Sequence, residues 1–484
     1  MVAALVGLNA RYTHTNLALL YLRNEIVAAG HSATILEFDT ATRRQDIIEA
    51  VVLSRPDAIL LSVYVWNTVL VGQLLPDLRA LLPGSLLILG GPEVSYNAAE
   101  WTHAHPEVDY IVSGAGEEAI RLLAEAGFPR PGDADAQGVS DDAPQSPRIL
   151  SVANRAFSTI RFPYSDDDLG KLSHRYVYYE SSRGCPCHCA YCVSGRDDQR
   201  VQAKSVAATI DELQRFIDYE PRWAAPPIVK FVDRTFNASP RRARDIWRFL
   251  LDAPTGATYH FEIHPAFLTD PDFELLALAP PGRFQFEVGV QSVHDTTLHA
   301  VGRDSASTRT VADANRSTAG WERIRPAIER LIAIGSIEIH LDLIVGLPGE
   351  DVALVGASID QVLALKPDRF DIGFLKSLPG TAIAADAVAN GQIAMRVAPY
   401  QVLANRWLSV ADFALLRRVE QLVDSIWNAN HLGDELDAIA ARFGGYFSGL
   451  CALSAHAERT DYNLSTRRPH KVAAFVDAGL SATP

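Results

Sequence analysis

The stretch Ser182-Arg-Gly-Cys185-Pro-Cys187-His-Cys189-Ala-Tyr191-Cys192-Val193 decides how the rest of this 484-residue chain is interpreted. It holds four of the five cysteines, which are too few for a disulfide framework and too clustered to be incidental. Three of them follow the spacing C-x3-C-x2-C. Three thiolates on one tight loop can hold three irons of a 4Fe–4S cluster. The remaining iron then lacks a protein ligand, which is the open position typical of catalytic metal sites.

The alternative is a structural zinc site built from all four clustered cysteines, Cys185, Cys187, Cys189 and Cys192. Zinc sites more often separate two C-x2-C pairs by a long insert, so that a tetrahedron can close. Neighbouring cysteines that are two, two and three residues apart would strain a tetrahedral zinc site. The pattern therefore favours an iron–sulfur cluster. In that interpretation Cys187 and His188 are bystanders, and the distant Cys451 is a small buried apolar residue.

Before the cysteines, apolar runs alternate with amphipathic helical stretches. The predicted strands are Val2–Leu8, Ala33–Phe38, Ala58–Val65, Leu86–Leu89 and Tyr110–Val112. Strands that alternate with helices predict an α/β domain with a doubly wound parallel sheet over residues 1–127. Ligands of such sheets bind at the carboxyl ends of the strands. Residues 128–148 are rich in Pro, Gly, Asp and Ser and open a predicted linker over 128–175.

The alternation resumes after the linker and continues over residues 176–395. The predicted strands are Tyr176–Glu180, Ile228–Val232, His260–His264, Phe284–Val290, Glu338–Val345 and Arg369–Leu375. Residues 396–484 change to mostly helical periodicity, with aromatic and aliphatic markers such as Trp407 and Phe413. The chain is therefore predicted to hold two α/β domains followed by a mostly helical one.

Net charge and hydropathy indicate which binding partners and which cellular location to expect. The formal net charge of −14 argues against a nucleic-acid partner, because phosphate binding needs clustered positive charge. Apolar runs such as Ala58–Trp66 have the length of a strand, well short of the stretch that spans a bilayer. The apolar N-terminal run has no basic residue before it, so it is typical of a first strand and not of a signal peptide. These features predict a cytoplasmic protein without a membrane span.

The cysteine spacing, with Tyr191 just before the last cysteine, resembles the signature of the radical S-adenosylmethionine (SAM) superfamily. Four later stretches are similar to that superfamily's barrel strands, in the expected order: Phe231–Asn237, Phe286–Ser292, Leu341–Glu350 and Leu378–Thr381. The resemblance implies a partial (β/α)6 TIM-like barrel over residues 176–395. It also implies a 4Fe–4S cluster on Cys185, Cys189 and Cys192 that cleaves SAM reductively.

The first domain is similar to the cobalamin-binding domain that precedes many radical SAM domains. Four motifs at its predicted strand ends carry this similarity: Asn9–Thr15, Ser62–Tyr64, Gly90–Glu93 and Gly114–Glu117. Residues 396–484 resemble the uncharacterised helical C-terminal domain of one subfamily of these proteins. The chain is thus similar to the cobalamin-binding radical SAM proteins over nearly its whole length, and the resemblance implies a Rossmann-like first domain.

The resemblance also implies two sets of contact residues. Candidates for SAM contacts are Tyr191, Asp233, Glu287, Gly289, Gln291, Ser292 and Gly346. Most of them lie near the ends of predicted barrel strands, where barrel active sites collect. Candidates for cobalamin contacts are His14, Ser62, Gly90, Gly91 and Gly114. Several of these residues could instead be satisfied polar groups or turn glycines.

One departure concerns the cobalt ligand. Cobalamin-dependent mutases carry the motif Asp-x-His-x-x-Gly, whose histidine binds cobalt, and this motif is absent here. His14 lies in the predicted loop after the first strand, but its spacing differs. It is either a cobalt ligand or an ordinary loop histidine, and radical SAM relatives often lack the motif.

The predicted activity is that of a radical SAM enzyme, with cobalamin-dependent methyl transfer to an unactivated carbon or phosphorus. Its implied partners are a small-molecule or peptide substrate and an external electron donor of the flavodoxin or ferredoxin type. One alternative is a radical rearrangement or cyclisation without methyl transfer. The other is a non-catalytic module that responds to cobalamin or iron. Methylthiotransferases fit less well, because their first domain has its own cysteines and residues 1–184 contain none.

Overall fold

The structure is a computed structural model that describes residues 1–131, 149–195, 201–303 and 320–481. The chain divides into two compact units, each assembled from more than one segment. The first unit consists of Met1–Glu180, Gln202–Lys230 and Val397–Pro399. The second unit consists of Ser181–Val201, Phe231–Arg396 and Tyr400–Pro484.

The first unit begins with alternating strands and helices. In chain order they are β1 (Val2–Asn9), α1 (Leu17–Ala28), β2 (Ser32–Asp39), α2 (Arg44–Leu53), β3 (Ala58–Ser62), α3 (Thr68–Leu81), β4 (Leu86–Gly90), α4 (Pro92–Ser95), α5 (Ala98–Ala104), β5 (Tyr110–Ser113), α6 (Gly116–Glu125), β6 (Ile149–Ser151), α7 (Asp166–Gly170) and β7 (Val177–Tyr179).

The first six strands form one sheet in the order β2-β1-β3-β4-β5-β6, and all five pairings are parallel. Strand β1 is buried on both faces. Ala3 and Leu5 pack into one hydrophobic core, and Val6 and Leu8 pack into the other. The chain leaves β1 toward β2 on one side and later places β3 on the other. This reversal of strand order is the switch point at which doubly wound sheets bind ligands.

The next elements flank the cysteine loop along the chain. They are β8 (Ser182–Arg183) of the second unit, followed by β9 (Gln202–Ala203), α8 (Val206–Tyr219) and β10 (Ile228–Phe231). The second unit continues with α9 (Pro240–Asp252), β11 (Thr258–Ile263), α10 (Asp270–Leu276), β12 (Phe284–Gln291), α11 (Asp295–Ala300), α12 (Trp321–Ile334), β13 (Glu338–Val345), α13 (Val352–Ala364) and β14 (Arg369–Phe374).

Strands β11 to β14 pair in parallel, each with the next along the chain. One face of these strands is apolar and buried, because alternate residues point to opposite faces of a strand. On β12, for example, Phe284, Phe286, Val288 and Val290 are fully buried. The intervening positions are polar or glycine, from Gln285 to Gln291. Three of the predicted SAM contacts, Glu287, Gly289 and Gln291, lie on this polar face.

The C-terminal part of the second unit is mostly helical. It contains α14 (Ala382–Ala385), the antiparallel pair β15 (Ile393–Ala394) and β16 (Val402–Ala404), α15 (Val410–Val423), a π-helical turn (Asp424–Asn428), α16 (Gly433–Phe443), α17 (Tyr446–Thr460) and α18 (Pro469–Ser481). Phe413, Leu416, Val419 and Leu422 form the buried stripe of α15.

The predicted fold class is confirmed. All eleven strands expected from the sequence are present, and each differs from its prediction by a few residues at most. The sequence analysis missed β6 and α7, which follow the low-complexity stretch. Residues 132–148 of the predicted linker lie outside the described residues. Within the described part of the chain, no helix has the length and apolar character needed to cross a bilayer.

Candidate cofactor sites

The cysteine loop starts from a buried polar anchor. Asp233, which is fully buried just after β10, accepts hydrogen bonds from the backbone N–H of Ser181 (2.9 Å) and from the hydroxyls of Ser181 (2.6 Å) and Ser182 (2.5 Å). Burial raises the pKa of Asp233, and these hydrogen bonds oppose the rise. Both carboxylate oxygens are therefore occupied in holding the residues that lead into the loop.

The middle of the loop is tied to two other elements of the second unit. The N–H of Ala190 donates to the carbonyl of Val301 at 2.8 Å, and the carbonyl of Ala190 accepts from Ile383 at 2.9 Å. The N–H of Cys192 donates to the carbonyl of Cys189 at 3.0 Å and closes a turn. The loop thus has a defined backbone path between its first and last cysteine.

The first cysteine sulfur lies among hydrogen-bond donors. The backbone N–H of Cys187 points to Sγ of Cys185 at 3.4 Å, and Oγ1 of Thr235 lies 3.3 Å from the same sulfur. The Cys187 thiol also donates to this sulfur and lowers the pKa of Cys185 to about 6. The same contact raises the pKa of Cys187 itself. Cys185 is therefore disposed to be a thiolate and Cys187 to stay a thiol.

The other two predicted ligands also meet donors. The guanidinium of Arg303 lies 3.8 Å from Sγ of Cys189, and the N–H of Ser194 donates to Sγ of Cys192 at 3.4 Å. Burial raises the pKa of Cys192. Donors directed at sulfur stabilise thiolates and are one of the ways in which proteins tune iron–sulfur clusters. The donor set therefore fits a cluster held by three thiolates.

Within the described residues, no three His, Cys, Asp or Glu side chains are gathered into a group that could hold one metal ion. A 4Fe–4S cluster places each protein thiolate on a different iron, so its ligands are spread more widely than those that share one ion. The fit of the loop to a cluster therefore rests on the chemistry of its sulfurs and their donors.

Arg303, which sequence reasoning missed, connects Gly289 to the cysteine loop that contains Tyr191. Burial raises the pKa of the Tyr191 hydroxyl well above its ordinary value. Arg303 donates to the carbonyl of Gly289 at 2.6 Å. A Cβ on Gly289 would lie 2.1 Å from Nε2 of Gln291 and 3.2 Å from Arg303. The side chains of Gln291 and Arg303 therefore occupy the space that a side chain at position 289 would need.

Gln291 and Ser292 end β12 at an irregularity. Gln291 has a φ of 70°, which is rare for a residue other than glycine, and the register with β13 shifts between Gly289 and Gln291. The fully buried Ser292 hydroxyl donates to Oε1 of Glu350 at 2.5 Å. Burial raises the pKa of Glu350 to about 7. Ser292 therefore joins the end of β12 to the loop that follows β13.

Glu287 lies among further titratable groups on the polar face. Its carboxylate is 3.1 Å from Nε2 of His260, and it pairs in register with Glu262 on β11. Burial raises the pKa of Glu262 to about 7 and raises that of Asp342 well above its ordinary value. Glu262 and Asp342 were missed, although strand alternation places them on the same face as predicted residues.

Gly346 is required for packing inside the second unit. It has a φ of 100°, and a Cβ there would lie 2.9 Å from the ring of Phe413 on α15. Its carbonyl accepts a hydrogen bond from Nδ2 of Asn405 at 2.9 Å. The β13 loop is therefore tied directly to the C-terminal helical part.

In the first unit, the predicted cobalamin residues lie along one edge of the sheet. Nδ2 of Asn16 donates to the hydroxyl of Ser62 at 2.8 Å, which connects the loop after β1 to the end of β3. Both residues are buried and lie at the switch point between these strands. Asn16 also caps α1 by accepting from the N–H of Leu19. Ser62 is thus a satisfied polar group at the edge that contains the switch point.

The three predicted glycines continue this edge. Gly91 has a φ of 113°, and a Cβ there would lie 2.5 Å from the carbonyl oxygen of Val63. Gly90 is less constrained, since its Cβ would meet Val112 at an ordinary 3.8 Å. The Ser95 hydroxyl donates to the Gly91 carbonyl at 2.8 Å and accepts from the N–H of Gly114 at 3.1 Å.

His14 lies in the loop after β1, as the sequence predicts. Its Nδ1 is 2.6 Å from the hydroxyl of Tyr178 on β7, and the two rings stack with centroids 6.1 Å apart. Burial lowers the pKa of His14, and so do the positive charges of Lys230, Arg11 and Arg175. The imidazole is therefore neutral near pH 7.

Three sequence families match this chain. The B12 binding domain matches residues 3–124, the Radical SAM superfamily matches residues 179–361, and a protein of unknown function (DUF4080) matches residues 391–462. The radical SAM match implies a 4Fe–4S cluster and SAM, and the B12 match implies cobalamin. The cofactor set predicted from the sequence is confirmed.

Curated relatives are similar over part of their length. The 2-(S-pantetheinyl)-carbapenam-3-carboxylate methyltransferase of Streptantibioticus cattleyicolor is 29% identical over 332 residues, or 62% of this chain and 43% of that protein. The cobalamin-dependent radical SAM methyltransferase TokK of Streptomyces tokunonensis is 28% identical over 369 residues, or 69% of this chain and 49% of that protein. The chain thus spans less than half the length of these relatives.

A solved structure has a similar fold over nearly the whole chain. It is the cobalamin-dependent S-adenosylmethionine radical enzyme OxsB with aqua-cobalamin and S-adenosylmethionine bound. The TM-score is 0.64 at 15% identity, and the alignment covers 99% of this chain and 78% of that one. At this identity the likeness concerns the fold alone.

Proposed function

We propose that this chain, a cobalamin-binding radical SAM protein, is an enzyme that transfers a methyl group to an unactivated carbon or phosphorus centre. The cysteine loop carries the proposal, since the sulfurs of Cys185, Cys189 and Cys192 each lie against a polar group of the second unit. When bound, the cofactors supply reductive cleavage of SAM and a methyl carrier. The protein binds, orients and shields them.

We assign the cluster to Cys185, Cys189 and Cys192. Backbone N–H groups and the Arg303 guanidinium lie against these sulfurs, and thiolate is the form of cysteine that binds iron. Asp233 holds the residues that lead into the loop, and Arg303 lies against its middle sulfur. These two residues keep the ligands in place before any iron is present.

We assign SAM to the polar face of the second unit, beside the loop. The candidate contacts are Tyr191, Asp233, Glu287, Gly289, Gln291, Ser292 and Gly346. The side chain of Glu287 is 40% exposed. Asp233, Ser292 and Gly346 are engaged within the protein, so we give them a supporting part in shaping the site.

We assign cobalamin to the carboxyl edge of the first sheet, at the residues His14, Ser62, Gly90, Gly91 and Gly114. This edge contains the switch point of the sheet, where doubly wound folds bind their ligands. Glycines there let a ligand approach the backbone closely. The proposed domain limits are 1–127, 176–395 and 396–484, with 128–175 as the connection.

Two partners follow from the proposed chemistry. Reductive cleavage consumes one electron, so we propose an external donor of the flavodoxin or ferredoxin type and a cytoplasmic setting. The substrate is a small molecule or a peptide. A net charge of −14 disfavours a nucleic acid.

The test uses SAM whose methyl group carries deuterium. Anaerobic protein with iron, sulfide, cobalamin and a reductant is expected to yield 5′-deoxyadenosine and S-adenosylhomocysteine, with the labelled methyl group recovered in the corrinoid fraction. 5′-Deoxyadenosine without S-adenosylhomocysteine would contradict methyl transfer and indicate a rearrangement or cyclisation. Failure to form either product would contradict an enzymatic role and indicate a binding module.

A further inference from the structure

A cavity of about 270 Å³ lies within the second unit, at the carboxyl ends of two neighbouring parallel strands. The residues that line it are Thr296 and Thr297 of α11, Pro348 and Gly349 after β13, and Asn390 and Trp407 of the C-terminal part. Because α11 directly follows β12, the cavity lies on the side of the strands where barrel active sites collect. It is lined by none of the residues assigned above to the cluster or to SAM.

Hydrogen bonds join the segments that line the cavity. Oδ1 of Asn405 accepts from the N–H of Trp407 at 2.9 Å, and Nδ2 of Asn405 donates to the carbonyl of Gly346 at 2.9 Å. The N–H of Arg406 donates to the carbonyl of Asn390 at 3.0 Å. The C-terminal side of the cavity is therefore fixed to the loop after β13, so the cavity has a defined shape before any ligand binds.

The cavity offers polar side-chain atoms for a ligand. Within the described part of the chain, no residue forms a hydrogen bond with Oγ1 of Thr297, with the side-chain amide of Asn390 or with the indole N–H of Trp407. Thr297 is only 2% exposed, and buried polar groups usually have a hydrogen-bond partner. A ligand in the cavity would supply partners for these atoms.

The residue types that line the cavity define the chemistry of this ligand. None of the described residues that line it carries a charge, so an ionised ligand group would lose its hydration without gaining a partner. Trp407 is the aromatic residue among them, and aromatic rings stack on one another with an offset. The amide of Asn390 both donates and accepts, as another amide does. The cavity therefore favours an uncharged planar ring that bears an amide-like group.

The same cavity is connected to the cysteine loop. Val301 directly follows Ala300, which also lines the cavity, and the carbonyl of Val301 accepts from the N–H of Ala190 between the second and third cluster cysteines. The N–H of Ile383 on α14, the helix that precedes Asn390, donates to the carbonyl of Ala190. A ligand in the cavity therefore contacts segments that also hold the loop.

We propose that this cavity binds the part of the substrate that is not methylated, as an uncharged planar ring with an amide-like group. Trp407 is its stacking partner and Asn390 its hydrogen-bond partner. The inference rests on the proposed function, because it names a class of substrate for that reaction. It gives the C-terminal part, which matches a family of unknown function, a role in selecting the substrate.

The test uses three probes of nearly the same shape: uncharged benzamide, anionic benzoate and cationic benzamidine. The full chain is reconstituted anaerobically and labelled with 5-fluorotryptophan, and the 19F resonance of Trp407 is the one that Trp407→Phe lacks. Benzamide is expected to shift this resonance with a Kd on the order of 1 mM, which is ordinary for so small a ligand. Benzoate and benzamidine are expected to bind at least about tenfold more weakly, because their charge finds no partner.

A change of charge inside the cavity makes the test specific. Asn390→Asp is expected to reverse the order, so that benzamidine binds at least about tenfold more tightly than benzamide. Asn463→Asp is the matched control, since Asn463 is exposed elsewhere in the same unit, and it should leave the order unchanged. Partial misfolding weakens the binding of every probe, so it cannot imitate a reversal. Trp407→Ala is expected to lose benzamide binding, which saturation transfer to the ligand measures.

The rate of 5′-deoxyadenosine formation without substrate connects the cavity to the reaction. Benzamide is expected to change this rate at least about twofold in the unaltered chain and to leave it unchanged in Trp407→Ala, because α11 runs directly into the residue that holds the cysteine loop. Benzamide that binds without changing the rate would overturn the role in substrate selection and leave the proposed function intact.

Two further results have different meanings. Equal binding of the three probes, or an Asn390→Asp chain that does not prefer benzamidine, would overturn the ligand class of the cavity. A chain that forms no 5′-deoxyadenosine in any sample would overturn the proposed function and the substrate role with it, whereas the order of the three probes would still decide the ligand class.

Discussion

At the scale of single residues, the four clustered cysteines are not equivalent. Cys187 donates to Cys185 and is itself 1% exposed, while the sulfurs of Cys185, Cys189 and Cys192 receive donors. The sequence already favoured three ligands and a bystander from spacing alone. The side chains around these sulfurs could not be predicted, since Thr235 and Arg303 are brought to the loop by distant parts of the chain.

The first prediction separates these roles. Cys185→Ala, Cys189→Ala and Cys192→Ala are each expected to lose most bound iron and all formation of 5′-deoxyadenosine. Cys187→Ala is expected to keep the cluster, because it removes a donor and not a ligand. Iron analysis after anaerobic reconstitution measures the difference. Equal iron loss in all four variants would contradict the three-ligand assignment.

The second prediction concerns Glu350, whose folded-state pKa is about 7 against an ordinary 4.5. A raised pKa in an acid means that the folded chain holds the proton more tightly. Stability is therefore full at low pH and is lost as pH rises from about 4.5 through 7. The loss is about 3 kcal/mol by this difference in pKa. Glu350→Gln is expected to remove it.

Urea unfolding at pH 5 and pH 8 measures the effect. The amide oxygen introduced by Glu350→Gln can still accept a hydrogen bond from Ser292, so this variant should match the unaltered chain at pH 5 and exceed its stability at pH 8. Glu274, an exposed acid on α10, provides the control variant Glu274→Gln. A stability difference for Glu350→Gln that is the same at both pH values would contradict the raised pKa.

At the scale of secondary-structure elements, the strands were predictable because burial follows the sequence pattern. β12 alternates buried and partly exposed residues along its whole length, and β3 is buried throughout. β6 was missed because three residues carry too little pattern. The β12 irregularity at Gln291 and the contact of Gly346 with Phe413 depend on neighbours far away in sequence, so no local pattern signals them.

The third prediction uses the glycine pair that ends β4. Gly91→Ala is expected to destabilise the first unit by about 1–3 kcal/mol, because its φ of 113° and the Val63 carbonyl exclude a Cβ. Gly90→Ala is expected to fold normally, since its Cβ has room. If cobalamin contacts the backbone of Gly90, the added methyl group of Gly90→Ala should weaken cobalamin binding even though the chain folds normally.

Thermal unfolding and cobalamin titration of the two variants separate packing from binding. A Gly91→Ala chain as stable as the unaltered one would contradict the close approach to Val63. A Gly90→Ala chain that binds cobalamin with unchanged affinity would remove Gly90 from the proposed contacts.

At the scale of the whole molecule, the sequence predicted domains as continuous stretches, but the compact units are assembled from separate segments. The first unit takes in residues 202–230, which follow the cysteine loop in the chain. Local sequence patterns cannot predict that residues 202–230 join the first unit, because this depends on which helices and strands pack together after folding. The order of the matched domains was nevertheless readable from motifs.

The fourth prediction follows from the separate placement of the proposed ligands in two units. The variant Cys185→Ala is expected to lose iron and to keep cobalamin, whose proposed contacts all lie in the first unit. The variant His14→Ala is expected to keep iron. Visible spectra and iron analysis of the same samples report both. Loss of both cofactors from either variant would contradict independent sites.

The most direct test of the central claim is the metal content and SAM cleavage of oxygen-free protein. We predict close to four irons and four acid-labile sulfides per chain, together with 5′-deoxyadenosine formed from SAM after reduction. Zinc in place of iron, with no labile sulfide and no 5′-deoxyadenosine, would contradict the account.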